Sequence, residues 1–236
     1  MLGSLLNVTW MAGIGFSLYV VARAILHKDF IRYFPLNFYL LSLALLSLGR
    51  RIILIRLGID SEAYLYFYYY SDTLLTILLF FAILGLYQHV FAEMNVGKYI
   101  RGGGFMLLLL TAGVSYMMVQ QNTQNMTSRF VVGLSQNLYF VGVVLTYVLW
   151  GAVLQLRETR TRIVQLVLAL GVFFSAHAVF YAARYMFPSM VMQVPWVASL
   201  LGISLPLAWA YTFTMIPEEA RLETARIAAR PAASHR

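Results

Sequence analysis

Runs of about 20 mostly apolar residues, the length a helix needs to cross a hydrocarbon core about 30 Å thick, recur along the chain with only short polar interruptions. They predict seven spans: Leu5 to Leu26, Pro35 to Leu57, Tyr64 to Phe91, Gly103 to Val119, Phe130 to Leu156, Ile163 to Tyr185 and Val194 to Met215. The runs are continuous rather than alternating, which excludes a closed barrel. Loops this short leave no room for a soluble domain between spans. The expected fold is therefore all-α: a seven-helix transmembrane bundle over 1–216, then a partly helical tail over 217–236. The third span is longer than crossing requires, so it should tilt or project from the bilayer. No internal repeat aligns the two halves.

Composition agrees with this reading. Of 236 residues, 61% are hydrophobic and 11% charged, against about 25% charged in a soluble domain. The net charge of +8 could suggest nucleic acid, but twelve of the seventeen Lys and Arg residues gather on one side of the bundle. That is the orientation signal of a polytopic protein, so no nucleic-acid partner is expected and the lipid bilayer is the first partner. The basic side carries Arg23, Lys28, Arg32, Lys98, Arg101, Arg157, Arg160, Arg162 and the tail arginines, which puts the N-terminus outside and the C-terminus in the cytoplasm. A multi-pass protein of the cell membrane follows, with a bacterial inner membrane as the expected location. The N-terminus lacks the basic region and cleavage site of a signal peptide, so the first apolar run should remain as a helix.

Ionisable groups inside spans cost about 2.5–3.5 kcal/mol for a central Arg or Asp, which makes each one a functional candidate. Here they share one layer in the outer half. From the turn near Ser61, ten residues back reaches Arg51 and eleven forward reaches Asp72, so the two should sit at similar depth, within reach of an ion pair. Arg50 points in another direction on its helix and would leave a surplus positive charge. Tyr68, Tyr69, Asp72 and Thr76 form one stripe on the third helix, and His177, Tyr181 and Arg184 form another on the sixth. Gln136 and Tyr139 of the fifth span add an amide and a phenol. An outward pocket lined by Arg50, Arg51, Tyr68, Tyr69, Asp72, Gln136, His177, Tyr181 and Arg184 would suit an anionic or aromatic small molecule. The alternative is a self-satisfied polar network that only fixes helix packing.

Several chemistries drop out on residue types. Cysteine is absent, which removes thiolate ligands and disulfides. The only lysines, Lys28 and Lys98, lie in or beside loops, so a retinal Schiff base in the last helix is excluded. His27 and His89 stand near the same helix ends and could meet the depth condition for a haem or metal; interfacial side chains are the plainer reading. Ser175 and His177 are two apart on one helix, hence facing away from each other rather than forming a hydrolase pair. The glycine run at 102–104 has neither the lysine nor the spacing of a phosphate loop and reads as a flexible helix start. Pro206 should kink the last span and free a carbonyl. No cofactor and no enzymatic activity are expected.

After Pro217, the stretch Glu218-Glu219-Ala220-Arg221-Leu222-Glu223-Thr224-Ala225-Arg226 favours a helix, with acids early and bases late. Seven spans, an external N-terminus, a charged and aromatic outer half and a last helix running into a Glu- and Arg-rich segment resemble the seven-helix sensor regions that precede bacterial histidine kinases and cyclic-nucleotide enzymes. The resemblance is architectural and implies a sensor-like module. With no output domain after Arg236, such a module would act through a protein partner. A structural or assembly subunit of a membrane complex is the first rival reading, and a small-solute transporter the second.

Overall fold

The computed structural model describes residues 2–94, 96–119, 126–156, 160–187 and 195–217. Seven long helices make up nearly all of this: α1 (Leu2–Leu26), α2 (Phe34–Leu57), α3 (Glu62–Val90), α4 (Gly97–Val119), α5 (Met126–Gln155), α6 (Thr161–Met186) and α7 (Pro195–Met215). Six of them are long and apolar enough to cross a membrane, and Ser199–Met215 of α7 supplies a shorter apolar stretch. Their outward faces carry Leu45, Ile52, Val144, Val172 and Leu207, all exposed, a surface suited to lipid contact.

The helix limits follow local chemistry. At the end of α1, Asp29 N–H donates to Ala24 O at 2.9 Å and Lys28 N–H to Ile25 O at 3.2 Å, the paired bonds of a Schellman stop. Lys28 holds the left-handed position of that stop at φ 60°, a conformation usually left to glycine. At the opposite end, α2 closes on Gly58 at φ 81°, and the Ser61 hydroxyl accepts from Tyr64 N–H at 3.2 Å to start α3. Glu62 sits in the first turn of α3, where the helix dipole favours an acid.

Expected and observed limits differ most at α4. The helix starts at Gly97 rather than Gly103, so the glycine run at 102–104 lies inside it and is no flexible start. Three interior glycines cost about 1 kcal/mol each in propensity. Close packing offsets part of that at Gly104, where a Cβ would collide with the Leu84 side chain. Pro206 stands inside a continuous α7, and its missing N–H leaves Gly202 O without the usual partner.

Six helices close into a ring in the order α1, α2, α3, α5, α6, α7 and back to α1, with α3 also touching α6 across it. Leu40, Ile83, Leu149, Leu166, Leu170 and Trp209 fill the interior. The fourth helix lies outside the ring against α3 and α5, over a second apolar cluster of Phe80, Leu84, Leu134 and Leu138. Hydroxyls and amides stitch the helices together, as is common where lipid removes the hydrophobic drive for association. Thr73 donates to Val131 O at 2.8 Å, Tyr87 to Leu145 O at 2.6 Å, and Asn137 to Ser115 Oγ at 2.8 Å.

Candidate functional site

The charged layer of α2 and α3 lies toward the Ser61 turn, and its pairing differs from the depth argument. Arg50, not Arg51, faces Asp72, with Nη2 3.9 Å from Oδ1. Arg50 Nε also donates to Ser71 Oγ at 2.7 Å and Nη2 to Tyr68 O at 3.3 Å. The guanidinium lies 4.4 Å from the Tyr68 ring centre, a cation–π distance. Arg51 points instead to α1, over the Trp10 ring at 5.5 Å. Neighbours on a helix are rotated by about 100°, so equal depth for Arg50 and Arg51 leaves rotation to choose the partner. Arg50 is therefore no surplus cation.

From Asp72 the polar contacts run into the ring. Ser135 Oγ of α5 donates to Asp72 Oδ2 at 3.0 Å and lies 3.1 Å from Thr76 Oγ1, while Thr76 bonds back to Asp72 O at 2.9 Å. One turn beyond Ser135, the Tyr139 ring stacks on His177 of α6, with centres 5.0 Å apart and planes 4° apart. Tyr181 packs on the same ring at 5.4 Å. His177 Nδ1 is 3.0 Å from Phe173 O.

The two stripes expected to converge are thus joined through α5, by Ser135 and Tyr139. Tyr69 is half-buried and touches Tyr68 edge-to-face. Gln136 is half-buried one residue aside from Ser135, and the side chain of Arg184 lies outside the described residues. Sequence reasoning passed over Ser135, the residue that ties Asp72 to α5. In the sequence it is marked only by its place four residues before Tyr139, on the same helix face.

A second polar region occupies the other end of the bundle, where α1 and α7 end and α6 begins. Here a cavity of about 400 Å³ is lined by Arg23, His27, Asp29, Arg32, Arg162 and Phe213 among others. Arg162 is only 7% exposed. It binds Ile216 O through Nε at 3.0 Å and Nη2 at 2.8 Å, and Asp29 Oδ2 through Nη1 at 3.3 Å. Arg23 donates to Phe213 O at 2.8 Å and Thr214 O at 3.4 Å. Two cations therefore satisfy the last carbonyls of α7, where the helix dipole is negative. Nearby, His89 stacks on Tyr33 at 5.0 Å, with Nδ1 2.8 Å from Gly85 O, while His27 is exposed at the cavity.

Between the two polar regions lies a belt of buried Leu79, Ile83, Leu86, Leu166, Leu170 and Trp209. Ser175 meets Tyr147 OH at 3.4 Å while His177 binds Phe173 O, so serine and imidazole serve different neighbours. Comparison of the chain with protein-family models, with curated proteins and with solved structures finds no match in any of the three.

Proposed function

We propose that this chain is a non-enzymatic seven-helix membrane protein of sensor or receptor type, with its N-terminus outside and its C-terminus in the cytoplasm. It takes an anionic or aromatic small molecule in its outer half and acts through a protein partner. One observation carries this reading: the Arg50–Asp72 pair, with side chains 18% and 28% accessible, is bonded to α5 through Ser135 and leads through the Tyr139–His177 stack to α6. A ligand anion that drew Arg50 away from Asp72 would change the contacts of four helices at once. Such a discrete rearrangement is what a signalling bundle needs. Guanidinium and phenol together recognise a carboxylate on a ring, the first by paired donors and the second by stacking.

The test is a titration of the full chain in nanodiscs with benzoate and salicylate, read by tryptophan fluorescence. Saturable binding that Arg50→Leu abolishes and Arg56→Leu preserves supports the site. Binding unchanged in Arg50→Leu, or no saturable response to either carboxylate, removes the small-molecule part of the reading. A second reading, an assembly subunit, draws on the position of α4 outside the ring with open space at Gly102, Gly103 and Gly113, where another helix could approach closely. Cysteine substitution at Gly113 and disulfide trapping in native membranes discriminates: a stoichiometric adduct with another protein favours the subunit. The apolar belt of Leu79, Ile83 and Trp209 stands against a transport path.

A further inference from the structure

We propose that the groove between α5 and α6, on the outer surface of the helix ring, binds a membrane quinone, one ring carbonyl accepting from the Tyr147–Ser175 hydroxyl pair. The groove holds about 300 Å³ and is lined by Tyr147, Trp150, Leu168, Gly171, Val172 and Ser175 among others. Tyr147, Leu168 and Val172 are exposed, so it opens sideways, toward lipid where these helices cross a bilayer. No charged side chain lines it, which selects a neutral occupant.

The hydroxyls carry the argument. Ser17, Thr111, Ser115, Thr146 and Thr212 each satisfy themselves on their own helix, donating to the carbonyl four residues back. Ser175 departs from this pattern: its hydroxyl meets that of Tyr147 on the next helix, with the two oxygens 3.4 Å apart. Such a bond is weak beside the usual O–H···O distance of about 2.7–2.8 Å. Two hydroxyls bring two protons, and the bond between them uses one. Among the described residues no other hydrogen bond takes the second. Alkyl chains offer it no acceptor, and an unmet donor in hydrocarbon is costly.

Depth narrows the choice of acceptor. Ser175 stands fourteen residues from the Thr161 start of α6 and eleven from its Met186 end, roughly 21 and 16 Å along the axis. That is near the middle of a hydrocarbon core about 30 Å thick. Phospholipid esters and sterol hydroxyls stay with the headgroups and do not reach this level. A quinone does, because its carbonyls sit on an uncharged ring that dissolves in hydrocarbon. The flat ring also suits the walls: the Tyr147 phenol and Trp150 indole, one turn apart on α5, offer stacking faces, with the bare backbone of Gly171 opposite. The groove is separate from the Arg50–Asp72 layer, so its occupant and any ligand there stand or fall independently.

The experiment adds decylubiquinone, decylbenzene or dioleoylglycerol to the full chain purified in a neutral detergent, with binding read by native mass spectrometry and by the thermal midpoint. The expected result is a saturable single adduct with decylubiquinone, at least tenfold tighter than with decylbenzene, which has a ring but no carbonyl. The double variant Tyr147→Phe with Ser175→Ala should weaken that adduct at least tenfold, whereas either change alone leaves one O–H and should weaken it less than threefold. Val172→Trp, which fills the groove from its exposed side, should weaken it at least fivefold. Leu207→Trp, on the exposed face of α7, should leave it unchanged. Equal affinity for decylubiquinone and decylbenzene overturns the proposal, as does a double variant that binds like the native chain. Dioleoylglycerol matching the quinone overturns it in favour of a glyceride.

Discussion

Replacing Arg50 by leucine should be the most damaging single change in the charged layer, and the structure says why the damage is lopsided. Arg50 has Asp72, Ser71 Oγ, Tyr68 O and the Tyr68 ring as partners, whereas among the described residues the Asp72 side chain pairs with Arg50 and Ser135. Two unit charges at the observed 3.9 Å attract by about 4 kcal/mol at an effective dielectric of about 20. Their side chains are 18% and 28% accessible, so screening brings the expected coupling down to about 1–2 kcal/mol. Arg50→Leu strands a carboxylate with one hydroxyl donor and should cost about 3 kcal/mol. Asp72→Asn keeps an acceptor for Ser135 and leaves Arg50 its other partners, at a cost of about 1 kcal/mol. The double variant should fall below the sum by the coupling energy, which is how a double-mutant cycle isolates the pair. Equilibrium unfolding in mixed micelles, followed by tryptophan fluorescence, measures all three. The reasoning fails if Asp72→Asn costs as much as Arg50→Leu, if Arg51→Leu matches Arg50→Leu, or if the coupling is below about 0.5 kcal/mol.

Lys28→Gly should stabilise the protein by about 1 kcal/mol, because the left-handed position at φ 60° charges a side-chain residue that much; a lower midpoint in the same unfolding assay would count against this. Gly142→Ala should destabilise by about 1–3 kcal/mol, since its Cβ would collide with the buried Phe174 ring. Gly133→Ala, with no side chain or neighbouring helix within 4 Å, is the control and should not destabilise. Fusions test orientation: a fluorescent protein joined after Arg236 should fluoresce, and alkaline phosphatase inserted at Gln124 should be active. The opposite pattern would reverse the assignment of outer and inner halves.

The helices were legible because the solvent they answer to is uniform: a long apolar run has few other fates, and every expected span overlaps an observed helix. Depth along the helices was legible too, since each residue advances the chain by a fixed rise. Rotation was not. Arg50 and Arg51 differ by one position, and only packing decides that the first meets Asp72 while the second crosses to Trp10. Ser135 escaped notice because a hydroxyl in a span can satisfy itself on its own helix, as Thr146 does on Gly142 O; nothing in the sequence separates the two cases. Arg23 and Arg162 were read only as orientation charges, and Asp29 was not singled out. Their meeting depends on α1 and α6 converging on the end of α7, a contact between segments more than 130 residues apart.

The ring of six helices has a consequence for how the chain is made. Its closing seam joins α1 to α7, so a helix made early must wait for one made six helices later. Until α7 leaves the ribosome, Val20, Val21 and Ala24 of α1, fully interior at the end, have only α2 to cover them. Arg162 likewise waits for the Ile216 carbonyl. Biogenesis should therefore pass through a long-lived open crescent that is correctly inserted yet still sensitive to proteases and to insertases that hold unpaired helices. Protection of α1 should arrive in one late step, when the seventh helix enters.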